Sequence, residues 1–349
     1  MPLPPLVGHE GLRSRLAAAA SSGRLPQAIL LAGPRGVGKQ RLALWLAQVI
    51  QCGAGRGAPC GECQSCRLAV SLQHPDVHWF VPIELNKKGA DADKQVDLVA
   101  EALADEMAAR REQPLYAPPG GLAIHSIAAV RLLLRRLALT PAMGQRKVFI
   151  VGDAERLIPQ RGSEDAANAL LKALEEPPAD SVIIITAAEV NALLPTILSR
   201  VVLVRVARIA DSAVTVFAQQ TLGIANKDEL AQRVTAAEGC IGKLFATEAP
   251  RAGQLDQAAR FLEAIQQGPT TRQAFALAQM PFQARGGFTE MLDALAGRLR
   301  AEAKRGGDTE KLVEAIALVM DARELAQGNV NPQLLTAVLG EDLSRAQRA

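Results

Sequence analysis

What the sequence has little of narrows it first. Its longest apolar runs, such as Ile29-Leu30-Leu31-Ala32 and Val182-Ile183-Ile184-Ile185, stop far short of the roughly 18 to 20 residues that a bilayer span requires. No transmembrane helix and no membrane partner are therefore expected. Neither sign of charge dominates: 39 Lys and Arg against 36 Asp and Glu leave a formal +3, too small a surplus to mark an independent nucleic-acid binder. The start, Met1-Pro-Leu-Pro-Pro, lacks the basic stretch and apolar core of a secretory signal, so the expected address is cytoplasmic. Five cysteines in 349 residues are too few for a disulfide scaffold. Repeats and low-complexity tracts are missing as well. The length itself allows two or three domains at roughly 100 to 200 residues each.

What is present changes character along the chain. Up to about residue 208, short apolar segments alternate with helical patterns, the signature of an α/β fold with a parallel sheet covered by helices. The expected strands are Ala28 to Ala32, Val77 to Val81, Val148 to Val151, Val182 to Thr186 and Val201 to Val206. From Asp211 onward the apolar spacing is helical throughout, with a small helical unit to about residue 250 and a bundle of four to six helices after it. In that bundle Leu255, Phe261, Leu262 and Ile265, with Leu312, Ile316, Val319 and Met320, either fill its own core or meet partner bundles. Glu84 to Gly121 is polar and proline-bounded, and reads as a solvated surface insertion with room for one helix over roughly Lys94 to Arg111. Arg131, Arg135 and Arg136 read as the solvated face of a packing helix.

Gly33-Pro-Arg-Gly36-Val-Gly38-Lys39 lies between an expected strand and an expected helix, the context that gives a phosphate loop its meaning. Glycines let backbone amides turn toward phosphates, and Lys39 would reach the outer ones. The hydroxyl that should follow, to hold Mg²⁺, is replaced by Gln40. A second nucleotide motif, an apolar strand ending in a metal-binding carboxylate, falls on Val148 to Val151, where the metal position is Gly152 and the catalytic acid is Asp153. Weak or absent ATP binding and no efficient hydrolysis follow from the two changes together. Cys52, Cys60, Cys63 and Cys66 have the C-x7-C-x2-C-x2-C spacing of a closed structural Zn²⁺ site. Cys240 reads as a small buried apolar residue, and His74 and His78 as packing residues, because four thiolates already complete the ligand count.

Asn168-Ala-Leu-Leu-Lys-Ala-Leu-Glu-Glu-Pro-Pro178 is an amphipathic helix stopped by two prolines, and Thr196-Ile-Leu-Ser199-Arg200 a helix end with a basic residue. Taken with the phosphate loop, the four cysteines, His74-Pro-Asp-Val77, Lys147 to Leu157 and the approach Leu194-Pro to that helix end, these segments resemble the clamp-loader family of AAA+ proteins. The resemblance covers about the first 250 residues with motifs and the rest only as a helical pattern. It implies an AAA+ domain over 1–208, carrying a zinc module (52–66) and the insertion (84–121), then a helical lid over 209–250 and a helical collar over 251–349. It also implies that Arg200, with Ser199, reaches the ATP site of a neighbouring subunit as an arginine finger, its charge free to face that neighbour. Val201 stands where the family has Cys. Thr186 matches the family's sensor position, and Lys243 stands where ATPase relatives carry a sensor Arg. The partners implied are clamp-loader ATPase subunits and a delta-like subunit in a hetero-pentameric ring, with the sliding clamp and primer-template DNA reached through the complex. The expected role is a non-motor subunit; the competing one, an ATP-hydrolysing motor of the same assembly, is opposed by Gln40, Gly152 and Lys243.

Overall fold

Five short apolar segments, three of them buried throughout, build the centre of the first part of the protein. The computed structural model describes residues 3–54, 57–84, 91–113, 123–158, 164–245, 252–279, 285–306, 308–326 and 330–348. The strands are β1 (Ala28–Ala32), β2 (Val77–Phe80), β3 (Lys147–Val151), β4 (Ser181–Ala187) and β5 (Val202–Arg205). They pair in parallel in the order β2-β3-β4-β1-β5. Successive side chains of a strand point to opposite faces, so each strand feeds two cores. Leu30, Phe149, Ile183 and Ile185 face one layer, and Ile29, Leu31, Ile150 and Ile184 the other.

The second of these layers is α1 (Glu10–Ser21) and α2 (Lys39–Gln51), with α3 (Gln64–Val70) beside α2. The first is α4 (Ala92–Glu112), α5 (Ile127–Leu137), α6 (Asp165–Glu175) and the short α7 (Pro195–Leu198). Local chemistry starts several of these helices. The Asp91 carboxylate accepts from the Lys94 amide at the head of α4, and the Ser126 hydroxyl from the Ala129 amide at the head of α5.

The polar segment after residue 84 corrects the sequence reading. It holds α4, two residues longer at its start than expected, and Val96, Val99 and Leu103 of that helix are buried in the main core. Ile83 and Ile124 pair across its base. This is a structural layer rather than a solvated loop; residues 85–90 and 114–122 lie outside the described residues. Arg136 departs from a solvated face too, since it is half-buried with its guanidinium 5.9 Å from the Phe80 ring.

The link from α5 into β3 is set by one buried carboxylate. Asp76 accepts from the amides of Ala142 (2.6 Å), Met143 (2.8 Å) and Gly144 (2.6 Å). Burial alone would raise its pKa, but these three amides outweigh it and hold the carboxyl below the usual range. Replacing Asp76 by Ala is expected to cost about 2–4 kcal/mol at neutral pH, read from urea midpoints. The folded pKa is depressed, so the contribution is complete above about pH 4 and fades as pH falls through the folded value. The gap between wild type and variant should therefore narrow in acid; a constant gap at every pH would contradict the ionic account.

The chain divides into two compact units, 1–159 with 163–246 and 247–349. The first also contains α8 (Asp211–Leu222) and α9 (Lys227–Ala237), whose own apolar cluster is centred on Val214, Phe217 and Ala218. The second is α10 (Ala252–Gln267), α11 (Pro269–Leu277), α12 (Arg285–Lys304), α13 (Thr309–Ala326) and α14 (Pro332–Arg348). There Phe261, Ile265 and Val319 are buried within the bundle itself and Leu262, Leu312 and Ile316 flank its core, while Met320 is exposed. Among the described residues no helix is long and apolar enough to cross a membrane.

Candidate nucleotide-fold site and cysteine centre

The loop from Gly33 to Lys39 joins β1 to α2, placing it at the carboxyl end of the parallel strands, where ligands of such sheets are held. Gly36 and Gly38 have φ of 78° and 98°, a region open chiefly to glycine. Lys39 begins α2 and is turned back on the loop. Its Nζ donates to the carbonyls of Gly33 (2.8 Å) and Pro34 (2.9 Å), and burial lowers its pKa against the pull of Glu155 and Asp153. A second backbone segment lies directly on the loop: the Gly242 amide donates to the Gly36 carbonyl at 2.7 Å. A Cβ on Gly242 would stand 2.5 Å from the Gly36 Cα, so only glycine permits this approach.

Gln40 and Gly152 prove to be one feature. Gln40 Nε2 donates to Asp153 Oδ2 at 2.9 Å, and a Cβ on Gly152 would come within 2.8 Å of the Gln40 amide carbon. The amide occupies the space that a side chain at residue 152 would need. Asp153 has a left-handed backbone (φ 50°), and its N–H donates to Thr186 Oγ1 at 3.1 Å, which brings the two expected site residues together. Gly152→Asp is accordingly expected to destabilise by about 1–3 kcal/mol through overpacking. Gln40→Thr with Gly152→Asp should recover most of that loss, a coupling visible in thermal melts of the two single variants and the double one. Additive losses would separate the two positions.

Four further residues meet at this site, and of these Glu189 and His125 lie outside every motif segment of the sequence. Glu155, with its pKa raised by burial, lies 3.9 Å from Arg35, which also pairs with Glu189 at 3.3 Å. His125, 3% exposed, is 2.7 Å from the Gly152 carbonyl through Nε2. Burial holds its pKa down to about 4, so the ring is neutral.

Arg200 does not present a free charge. Its guanidinium pairs with Glu175 at 2.7 Å and donates to the Thr196 carbonyl at 2.9 Å and the Ser199 hydroxyl at 3.2 Å. Glu175 ends α6, so this pair physically joins the two motifs that flank β4. Lys243 is likewise engaged, with Glu238 at 2.7 Å.

Cys52 follows α2, and Cys63 caps α3 by accepting from the Cys66 amide at 3.4 Å. The four sulfurs lie within 4.8 Å of one another. Tetrahedral Zn–S bonds of about 2.3 Å put sulfurs about 3.8 Å apart, and Cys60 and Cys66 are 3.9 Å apart. The Cys63 and Glu62 amides hold the Cys60 thiol down to about 6, while burial pushes Cys66 up to about 12. Four thiols so placed could hold a metal ion. Cys240 is fully buried in the sheet's second core, consistent with an apolar role.

The strand order, with the phosphate-loop sequence after a central strand and a helical cluster against that loop, defines an α/β AAA+ fold, followed by a helical C-terminal region. A family described as DNA polymerase III, delta subunit, matches residues 8–210, and the chain belongs to that family. It is delta-prime-like. The DNA polymerase III subunit delta' of Pseudomonas aeruginosa is 34% identical over 177 residues, 50% of this chain and 41% of that protein. The gamma/tau subunit of Mycobacterium bovis is 30% identical over 196 residues, 56% of this chain and 27% of its own length. The chain thus matches less than half the length of these curated relatives. A DNA polymerase III gamma subunit-related protein of Thermotoga maritima superposes over 95% of this chain and 99% of its own, at 16% identity and a TM-score of 0.44.

Proposed function

We propose that the chain is a non-motor subunit of a DNA polymerase III clamp loader. It would assemble with ATPase subunits and a delta-like subunit into a hetero-pentameric ring that loads the sliding clamp onto primed DNA. One observation supports the non-motor reading: the neutral Gln40 amide donates to Asp153 at 2.9 Å, between the two positions from which a metal would be held. A metal there would lack both the loop hydroxyl and the carboxylate absent at Gly152, and phosphoryl transfer depends on that charge neutralisation. Gly33, Gly36, Gly38 and Lys39 retain the form of a phosphate loop, with Asp153 and Thr186 beside it, so residual nucleotide binding would be weak.

In the same reading Arg200, positioned by Ser199, leaves Glu175 to act at a neighbouring subunit's ATP site. The four cysteines hold one structural Zn²⁺, residues 209–250 serve as the lid and 251–349 as the collar. Purified chain with Mg²⁺ and ATP should show negligible turnover, and mixing it with the ATPase subunits should yield a complex that loads clamps. Hydrolysis by the chain alone at about 1 s⁻¹ or faster would favour the motor role instead.

A further inference from the structure

The phosphate loop faces an acid that belongs to the chain itself. Glu155 lies just past the end of β3, at the carboxyl end of the sheet, and its side chain is only 9% exposed. The carboxylate touches two neighbouring segments. The Ala188 amide, which follows β4, donates to Oε2 at 3.4 Å, and the Arg35 guanidinium of the loop stands 3.9 Å from Oε1. Arg35 sits closer to Glu189, at 3.3 Å, so one guanidinium is shared between two acids.

Lys39 is the other cation of the loop. Burial lowers its pKa, and among the charges that oppose this fall Glu155 comes first, ahead of Asp153. The relation runs both ways: burial raises the pKa of Glu155, and Arg35 and Lys39 work against the rise. Each of the two groups favours the charged form of the other. The Lys39 hydrogen bonds go to the Gly33 and Pro34 carbonyls, so Glu155 acts on it through space.

A phosphate loop binds by presenting amides and an ammonium to incoming negative charge. Here the ammonium already faces a fixed carboxylate, withdrawn from water where screening is weak. An outer phosphate arriving at Lys39 would meet that charge at close range. The Gln40 amide on Asp153 is neutral and offsets neither acid.

We propose that Glu155 is the built-in counter-anion of the phosphate loop, standing in for the charge of a nucleotide's outer phosphates and making the site discriminate against polyphosphate ligands. The inference rests on the reading that nucleotide binding here is weak, and it names the residue that makes it so.

The test titrates the full chain with the fluorescent N-methylanthraniloyl derivatives of ATP and AMP. Titrations run at about pH 8, well above the ordinary carboxylate range, without added Mg²⁺ or chelator. Wild-type protein should bind the ATP derivative no more than about threefold more tightly than the AMP derivative. Glu155→Gln keeps an acceptor for the Ala188 amide, and should tighten the ATP derivative by about tenfold or more, which is about 1.4 kcal/mol. The AMP derivative should move by less than about threefold, and the gain for ATP should shrink as salt is raised. Glu189→Gln removes the more exposed partner of Arg35 and should change either affinity by less than about threefold. Glu155→Ala carries the same expectations as Glu155→Gln and serves where that variant does not fold. A wild-type preference of about tenfold or more for the ATP derivative would overturn the proposal without any variant. So would unchanged ATP affinity in a folded Glu155 variant, an equal gain for AMP, or no binding of either derivative to that variant below millimolar probe. Clamp loading by the mixed complex tests the non-motor role separately: a complex that fails to form leaves these affinities standing, and unchanged affinities leave the complex standing.

Discussion

Arg200→Ala is expected to leave the clamp-loader complex assembled and to slow ATP turnover at one site by about 10³ to 10⁵, the range for arginine fingers acting on transition-state charge. Diluted over several ATP sites in a ring, the loss in total hydrolysis would be much smaller, so clamp loading on primed DNA is the sharper measurement. The chain's own fold should hardly notice. The partner of Arg200 here is Glu175, with side-chain exposures of 33% and 47%, and exposed pairs of this kind contribute less than about 1 kcal/mol. Arg200→Lys should rescue poorly, because an ammonium cannot reproduce the planar fork. Glu175→Gln is the informative companion. It removes the ionic partner of the guanidinium while keeping the helix end, and should leave loading intact or faster. If the alanine complex loads clamps at the wild-type rate, the trans-acting role is wrong.

Removal of metal should have the largest effect on stability. Elemental analysis of purified chain is expected to give one zinc, and Cys63→Ser to lose it, along with the α3 cap that its sulfur provides. Apparent binding energies for structural zinc in small peptides reach about 10–16 kcal/mol. Here the module rests on a folded sheet domain, so local unfolding around residues 52–70 is expected rather than global collapse. Hydrogen exchange would show it as lost protection in α3 and at the end of α2, where Gln48 donates to the Cys66 carbonyl at 3.4 Å. Cys240→Ser should retain the metal. A zinc-free chain with a fully protected α3 would refute the structural site.

The features legible in the sequence were those whose determinants are close together along it. The five strands stood out as short apolar runs, β1, β3 and β4 most clearly because buried parallel strands are apolar on both faces, and the observed limits differ from the expected ones by one residue at most. The cysteine cluster was legible because its four thiols fall within one short segment. What escaped were pairings made by the sheet. Gln40 meets Asp153 across 113 positions, and Glu175 meets Arg200 across two motifs that each look complete alone. The burial of α4 was obscured differently: Val96, Val99 and Leu103 have helical spacing, but Asp93, Lys94, Asp97 and Glu101 surround them and dilute the stripe below what composition reveals. Arg200's position at a helix end was foreseen; its engagement was not, because spacing says nothing about which acid a side chain will find.

The amide of Gln40 also bears on how much of this protein is available to its partners. A protein that binds a ligand only when folded gains stability in proportion to the logarithm of ligand concentration above its dissociation constant. Motor subunits that hold Mg²⁺ and nucleotide are therefore steadied or loosened as energy charge rises and falls. In the non-motor role proposed above, the Gln40 side chain, bonded to Asp153, takes the place of that metal as an occupant at a fixed effective concentration. Its melting temperature should stay flat across millimolar Mg²⁺ and ATP, and the supply of assembly-competent subunit should be the same in a starved cell as in a growing one.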